Sequence, residues 1–215
     1  MHAIRLLTRI FVIASLLLAA TCVAPAQNDR DFVALKAQAE SPEGKAKIVT
    51  LEAKAAKGDA GAQDALGWFY QFGVGLPQDY SKAIYWYRKA ADQNLADAQA
   101  RLGLLYDKGQ GVPSDHQQAA QWYAKAAEQG DVGAQYNLSL LYSVGVGVPQ
   151  NYNEAYFWAI LAVATTSSPD GNLSLQNLTS WRDSVAGFLT KTEILRVQER
   201  ARKWFEDHPP KRAAQ

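Results

Sequence analysis

Three histidines, one cysteine and 21 acidic side chains are the groups with which this chain of 215 residues would have to do metal, thiol or acid–base chemistry. His2, His116 and His208 are scattered over the whole length, so the sequence does not suggest the three or four clustered ligands that a zinc ion needs. Cys22 stands alone and closes no intramolecular disulfide. No serine lies in a G-x-S-x-G turn, and no spacing selects a carboxylate pair able to cleave a sugar chain. His116 follows Asp115, but it occupies a slot held elsewhere by Tyr80 and Tyr152, which makes it a packing substitute. The G-x-G steps at Gly73, Gly109 and Gly145 would suit phosphate only after a strand, and they follow helical stretches. The sequence therefore implies no catalytic residue, no metal and no cofactor. With 22 Lys plus Arg against 21 Asp plus Glu, it also lacks the basic excess of a nucleic-acid or polybasic membrane surface. What remains is binding through a surface, and the question becomes which elements present it.

The first segment reads as an address. Arg5 and Arg9 precede an apolar stretch from Ile10 to Ala20, and Ala24 and Ala26 place small residues before a cleavage after Ala26, the order of a secretory signal peptide. The apolar stretch is shorter than the roughly 20 residues of a membrane-spanning helix. Thr21 immediately before Cys22 speaks against lipid attachment, where a small Gly, Ala or Ser is wanted. The expectation is export, to the periplasm or outside the cell, with cleavage of residues 1–26 and no stable membrane span afterwards. Cleavage would remove the only cysteine, so the mature chain has to be stable by core burial alone.

That core is supplied by a repeat. Ala62-Gln63, Ala98-Gln99 and Ala134-Gln135 recur at a period of 36 residues, followed in register by Leu66, Leu102 and Leu138 and by Tyr70, Tyr106 and Tyr142. The same shift superimposes Gly73, Gly109 and Gly145; Gly75, Gly111 and Gly147; Pro77, Pro113 and Pro149; and Trp86, Trp122 and Trp158. A period of this length marks a solenoid, in which each unit buries its apolar face only against its neighbours. In unit one the spacing predicts a first helix over about 60–72, stopped by Gly73 and Gly75, and a second over about 80–93. Asp79, Asp115 and Asn151 are placed to cap the second helices, and Asn151 with Glu154 fits a capping box. The tryptophans are expected to be wedged between hairpins, each worth on the order of 4–6 kcal/mol of burial before entropy is subtracted.

The 36-residue pattern, with Trp86-Tyr87-Arg88-Lys89-Ala90-Ala91 and Trp122-Tyr123-Ala124-Lys125-Ala126-Ala127 as its fullest passages, resembles the Sel-one-like repeat family, relatives of tetratricopeptide repeats. The resemblance covers 58 to about 165 as three units, 58–93, 94–129 and 130–165. It implies an all-α fold, an α/α superhelical solenoid used as an interaction scaffold, with no catalytic residues to carry over. Unit three departs from the pattern: Ser139 stands where Gly67 and Gly103 stand, and Ala159 where Tyr87 and Tyr123 stand, which suggests different packing at that end.

Residues 27–57 and 166–215 are expected to cap the stack. The first contains two helical stretches interrupted at Ser41-Pro42-Glu43-Gly44, and the second contains helices over about 173–188 and 190–207, with a capping box from Thr190 to Glu193 and a stop at Pro209 and Pro210. On a helical wheel, Asp64, Trp68 and Gln71 lie opposite the core stripe, and the shift carries them to Ala100, Leu104 and Asp107 and then to Tyr136, Leu140 and Ser143. First helices line the inner curve in related solenoids, so Trp68, Leu104 and Leu140 would form a ladder there, with Asp64, Asp107 and Tyr136 beside it, able to take a peptide or protein partner. The functional expectation is an exported, non-enzymatic scaffold that docks a protein or peptide of the cell envelope. The alternative is a binder or cleaving enzyme of cell-wall glycan.

Overall fold

Nine helices with defined ends follow one another in a computed structural model that describes residues 36–166 and 173–208, and no strand occurs among the described residues. The chain divides after Leu35 into two units, and all described residues belong to the second. The signal-peptide segment with its cleavage after Ala26 and the stop at Pro209 and Pro210 lie outside the described residues. In order, the helices are α1 Pro42–Ala56, α2 Ala60–Phe72, α3 Tyr80–Ala91, α4 Ala96–Lys108, α5 His116–Glu128, α6 Val132–Val144, α7 Tyr152–Thr165, α8 Leu175–Ala186 and α9 Lys191–Asp207. Each packs on the next through α8, α9 returns to α7, and α4 and α6 touch directly. This is the all-α, α/α solenoid of helix pairs that the period implied.

Local chemistry sets the ends. Asp59, Asp79, Asp115 and Asp131 each accept a backbone N–H three residues on, at 2.6–2.9 Å, and so satisfy a donor that the helix start leaves open. Asn151 does the same for α7, but the expected capping box is only half formed. The Glu154 carboxylate pairs instead with Arg200 at 2.5 and 3.1 Å, and the Asn151 N–H donates to the Tyr142 carbonyl at 2.8 Å. The box at Thr190 and Glu193 is complete. The two glycines of each G-x-G step do different jobs. Gly73, Gly109 and Gly145 close the first helices in the left-handed conformation at φ 64, 65 and 79°. Gly75, Gly111 and Gly147 press the loop onto the preceding unit: a Cβ on them would come within 2.5 Å of Ile48, 2.5 Å of Tyr80 and 2.3 Å of the His116 backbone.

A chain of amides ties the units together. Gln63, Gln99 and Gln135 donate from Nε2 to the carbonyls of Ala55, Ala91 and Ala127, and accept at Oε1 from Gln93, Gln129 and Thr165, the latter three at 2.8 Å. Each buried amide thus adds a second donor to a carbonyl at the end of the preceding helix that already accepts a backbone N–H. Because α1 offers Ala55 as α3 offers Ala91, α1 stands in the place of a second helix.

The core departs from expectation in its anchor. On α3 the fully covered stripe is Ala83, Ile84, Tyr87, Ala90 and Ala91, and Tyr87 and Tyr123 are 0 and 1% exposed. Trp86 and Trp122 are only half-buried, one step of about 100° round the helix, with Lys89 and Lys125 over their rings at 5.4 and 4.1 Å. Of the three repeated indoles only Trp158 is covered, because α8 and α9 close over the flank of α7 that stays open on α3 and α5. The tyrosine ring reaches full burial because it lies on a glycine: a Cβ on Gly67 or Gly103 would stand 2.6 Å from Tyr87 or Tyr123. In unit three both partners change together. Ser139 donates to the Ala155 carbonyl at 2.7 Å and accepts from the Trp181 indole N–H at 2.8 Å, so a side chain from α8 is seated where a tyrosine of the repeat would have been.

Candidate functional site

The helices α2, α4 and α6 place one residue from each unit side by side, and the half-exposed positions on them form a wall. Trp68, Leu104 and Leu140 share one row of it, and Asp64, Ala100 and Tyr136 the row one turn earlier. The third row expected from the wheel does not face outward. Gln71 and Ser143 are buried, since Gln71 accepts the Tyr87 hydroxyl at 2.7 Å and Ser143 donates to the Leu140 carbonyl. Trp68 is held within its own helix. Its ring packs on Phe69 and Phe72 at centroid distances of 5.6 and 5.2 Å. Tyr136 meets the Trp181 indole edge-on at 6.1 Å.

The charged members of the wall are gathered near its middle. Asp64 pairs with Arg101 of the next unit at 3.2 Å, and Arg101 also lies 5.8 Å from the centre of the Tyr87 ring. Asp97 opens α4, where Leu95 provides no side-chain cap, and Asp131 caps α6. Burial pushes the Asp64 carboxyl above its ordinary value against the pull of Arg101, and Asp97 adds repulsion. Asp131 is raised by burial too, and there the repulsion of Asp97 outweighs the attraction of Arg101. The Tyr87 and Tyr123 phenols are held un-ionised far above the usual range, chiefly by burial. Sequence reasoning singled out neither Asp97, Arg101, Asp131 nor the Tyr123 hydroxyl. The available signal was variation: positions 61, 97 and 133 read Gly, Asp and Gly, and 65, 101 and 137 read Ala, Arg and Asn, inside an otherwise repeated frame.

Asp107 turns away from the wall to His116, whose Nδ1 lies 2.8 Å from its Oδ1, while His116 Nε2 is 3.5 Å from Ser114 Oγ. The order serine, histidine, aspartate invites a hydrolase reading. The Ser114 hydroxyl, however, donates to the Asp107 carbonyl at 3.0 Å, so its proton is not offered to the imidazole. The other units explain why. Gln78 bonds the Gln71 carbonyl and the Tyr80 hydroxyl, and Gln150 bonds the Ser143 carbonyl and the Tyr152 hydroxyl, making the same brace across the loop. His116 is the packing substitute that its slot implied. Among the described residues no three His, Cys, Asp or Glu side chains are grouped to hold a metal ion, and no helix is long and apolar enough to cross a membrane.

Helix pairs stacked at a fixed repeat, with a varied wall on the first helices, define a tetratricopeptide-like solenoid. The model of the Sel1 repeat matches residues 60–95, 96–131, 132–164 and 192–206, more than half of the chain, and the protein belongs to that family. The last match falls in α9, which the period of 36 did not reach. Sel1 repeat proteins are in general non-enzymatic scaffolds for protein–protein interaction. Among solved structures, a protective antigen of uropathogenic Escherichia coli strains, described as displaying an SLR fold, is 33% identical with a TM-score of 0.66. That match covers 81% of this chain and 37% of the antigen, so the chain spans little more than a third of its length. A Sel1 repeat protein from Oxalobacter formigenes is 31% identical over 71% of this chain and 98% of its own, with a TM-score of 0.49. Helicobacter pylori cysteine rich protein B is 23% identical, with 60% and 95% covered and a TM-score of 0.47. A sequence search of curated proteins gave no match.

Proposed function

We propose that the protein is an exported, non-enzymatic scaffold that docks a protein or peptide of the cell envelope along the wall of α2, α4 and α6, with Trp68, Leu104 and Leu140 as apolar contacts and Asp64 and Tyr136 beside them, Asp107 being engaged with His116 instead. The observation that carries this reading is that one row of the wall changes in every unit inside an otherwise repeated frame, beside an apolar row of Trp68, Leu104 and Leu140. The core positions 66, 102 and 138 are leucine in every unit, whereas 64, 100 and 136 are Asp, Ala and Tyr and stay half-exposed. Side chains with a stabilising duty recur, and those facing a partner diverge. In this reading residues 27–57 and 166–215 cap the three units 58–93, 94–129 and 130–165, and the segment 1–26 directs export.

Crosslinking in the native compartment, followed by identification of the captured chain, tests the reading. The expected result is one envelope protein recovered with the unaltered sequence and lost with Trp68→Ala, Leu104→Ala or Leu140→Ala. Equal capture by all forms would remove the wall from the account. Retention of the whole protein in the cytoplasm would remove export, and turnover of wall fragments by the purified chain would favour an enzyme of cell-wall glycan.

A further inference from the structure

The two buried tyrosines are seated alike, and their hydroxyls are treated differently. Tyr87 lies on Gly67 and donates to Gln71 at 2.7 Å, beside Asp64 and Arg101. Tyr123 lies on Gly103 at the same 2.6 Å, is 1% exposed, and its hydroxyl oxygen is buried with no hydrogen-bond partner. Each polar neighbour of the first tyrosine is missing or engaged elsewhere one unit later. Asp107 stands at the position of Gln71 but is drawn to His116, Ala100 replaces Asp64, and Asn137 replaces Arg101. A buried hydroxyl left unmatched in a native fold calls for an explanation, because its desolvation is not compensated.

Around it the charge is lopsided. Asp107 and Asp131 both lie within electrostatic reach of the Tyr123 hydroxyl, and exposed Asp97 lies within reach of Asp131. Arg101, the cation here, is paired with Asp64, and the His116 ring is taken up by Asp107. The alanine at 100 leaves a methyl where the flanking units carry a carboxylate and a phenol ring, with half-exposed Leu104 one turn further along. An aliphatic stem ending in a positive charge matches this combination, since the stem lies on apolar surface while the head reaches the carboxylates.

We propose that the middle of the wall is a socket for a lysine or arginine side chain carried by an extended segment of the docked partner, with Asp97 and Asp131 as counter-charges and the Tyr123 hydroxyl as the acceptor at its floor. This rests on the docking reading above and adds the chemistry of the partner to it. A bare metal ion fits less well, since no three ligating side chains are grouped among the described residues.

The test uses the full chain and four pools of acetylated, amidated nonapeptides, the central residue fixed as Lys, Arg, Gln or Glu and the flanks randomised. The Lys and Arg pools are expected to be retained about tenfold better than the Gln pool, the Glu pool least, and the preference is expected to shrink as salt is raised. Asp97→Asn combined with Asp131→Asn should bring the cationic pools to the Gln level, and the cap of α6 survives the second change because an asparagine oxygen accepts the same N–H. Tyr123→Phe should lower their retention several-fold while leaving Tm unchanged, whereas Tyr87→Phe should lower Tm and spare the preference. Equal retention of the four pools, or a preference that survives the double aspartate variant, overturns the socket. If the pools bind equally and Leu104→Asp abolishes that binding, the docking reading stands and the socket alone fails; retention of no pool overturns both.

Discussion

Units two and three fill the same core slot in opposite ways. In unit two a glycine on the first helix admits the tyrosine of the second, Gly103 under Tyr123. In unit three the tyrosine has become Ala159 and the glycine has gained a hydroxymethyl, and Trp181 from α8 hydrogen-bonds to that new hydroxyl. What the two units share is a filled volume, not a residue. Either solution is coherent, and a mixture of the two is not.

The largest break in this comparison should come from Trp181→Ala, which leaves a cavity and strips a partner from Ser139; a loss of about 3–5 kcal/mol in urea unfolding is expected. Gly103→Ala, which forces a methyl into the Tyr123 ring, should cost about 1–3 kcal/mol. Combining it with Tyr123→Ala should cost less than the sum of the two changes, because the clash disappears with the ring. Trp122→Ala should cost about 1–2 kcal/mol, within the ordinary range for point changes, since its indole is half-exposed under Lys125. A loss of about 3–5 kcal/mol, that of a buried tryptophan, would contradict the geometry at that position. The smallest and sharpest contrast is between two phenol hydroxyls. Tyr87→Phe should lose about 1 kcal/mol with its bond to Gln71, and Tyr123→Phe should lose about 0 kcal/mol. Equal losses would mean that Tyr123 has an acceptor in solution.

The architecture was legible because each of its signals sits in one residue type at one place. A glycine that must take positive φ, or an aspartate that must accept an N–H, announces itself again at intervals of 36 residues. Which of two adjacent aromatics turns inward was not legible in the same way. Trp86 and Tyr87 differ by one step round the helix, and the choice is made by Gly67 on another helix. The departures at Ser139 and Ala159 were visible, but Trp181, which reconciles them, lies 42 residues beyond Ser139 and outside the repeat. The wall was found by its wheel position, and two of its expected members, Gln71 and Ser143, proved to be buried. Its charged centre was missed because Asp97 and Arg101 recur in no other unit, and a search for recurrence passes over them.

The seat that Trp181 takes on Ser139 also bears on how such an array can lengthen. Duplicating the stretch 96–131 would lay another glycine-and-tyrosine unit beside one of its own kind, and every joint would find the surface it was shaped for. Copying a unit in after 166 would set a newcomer against α7, whose flank is already roofed by α8 and α9, and would evict the indole from its hydroxyl. Growth is thus open in the middle of this molecule and shut at its far end.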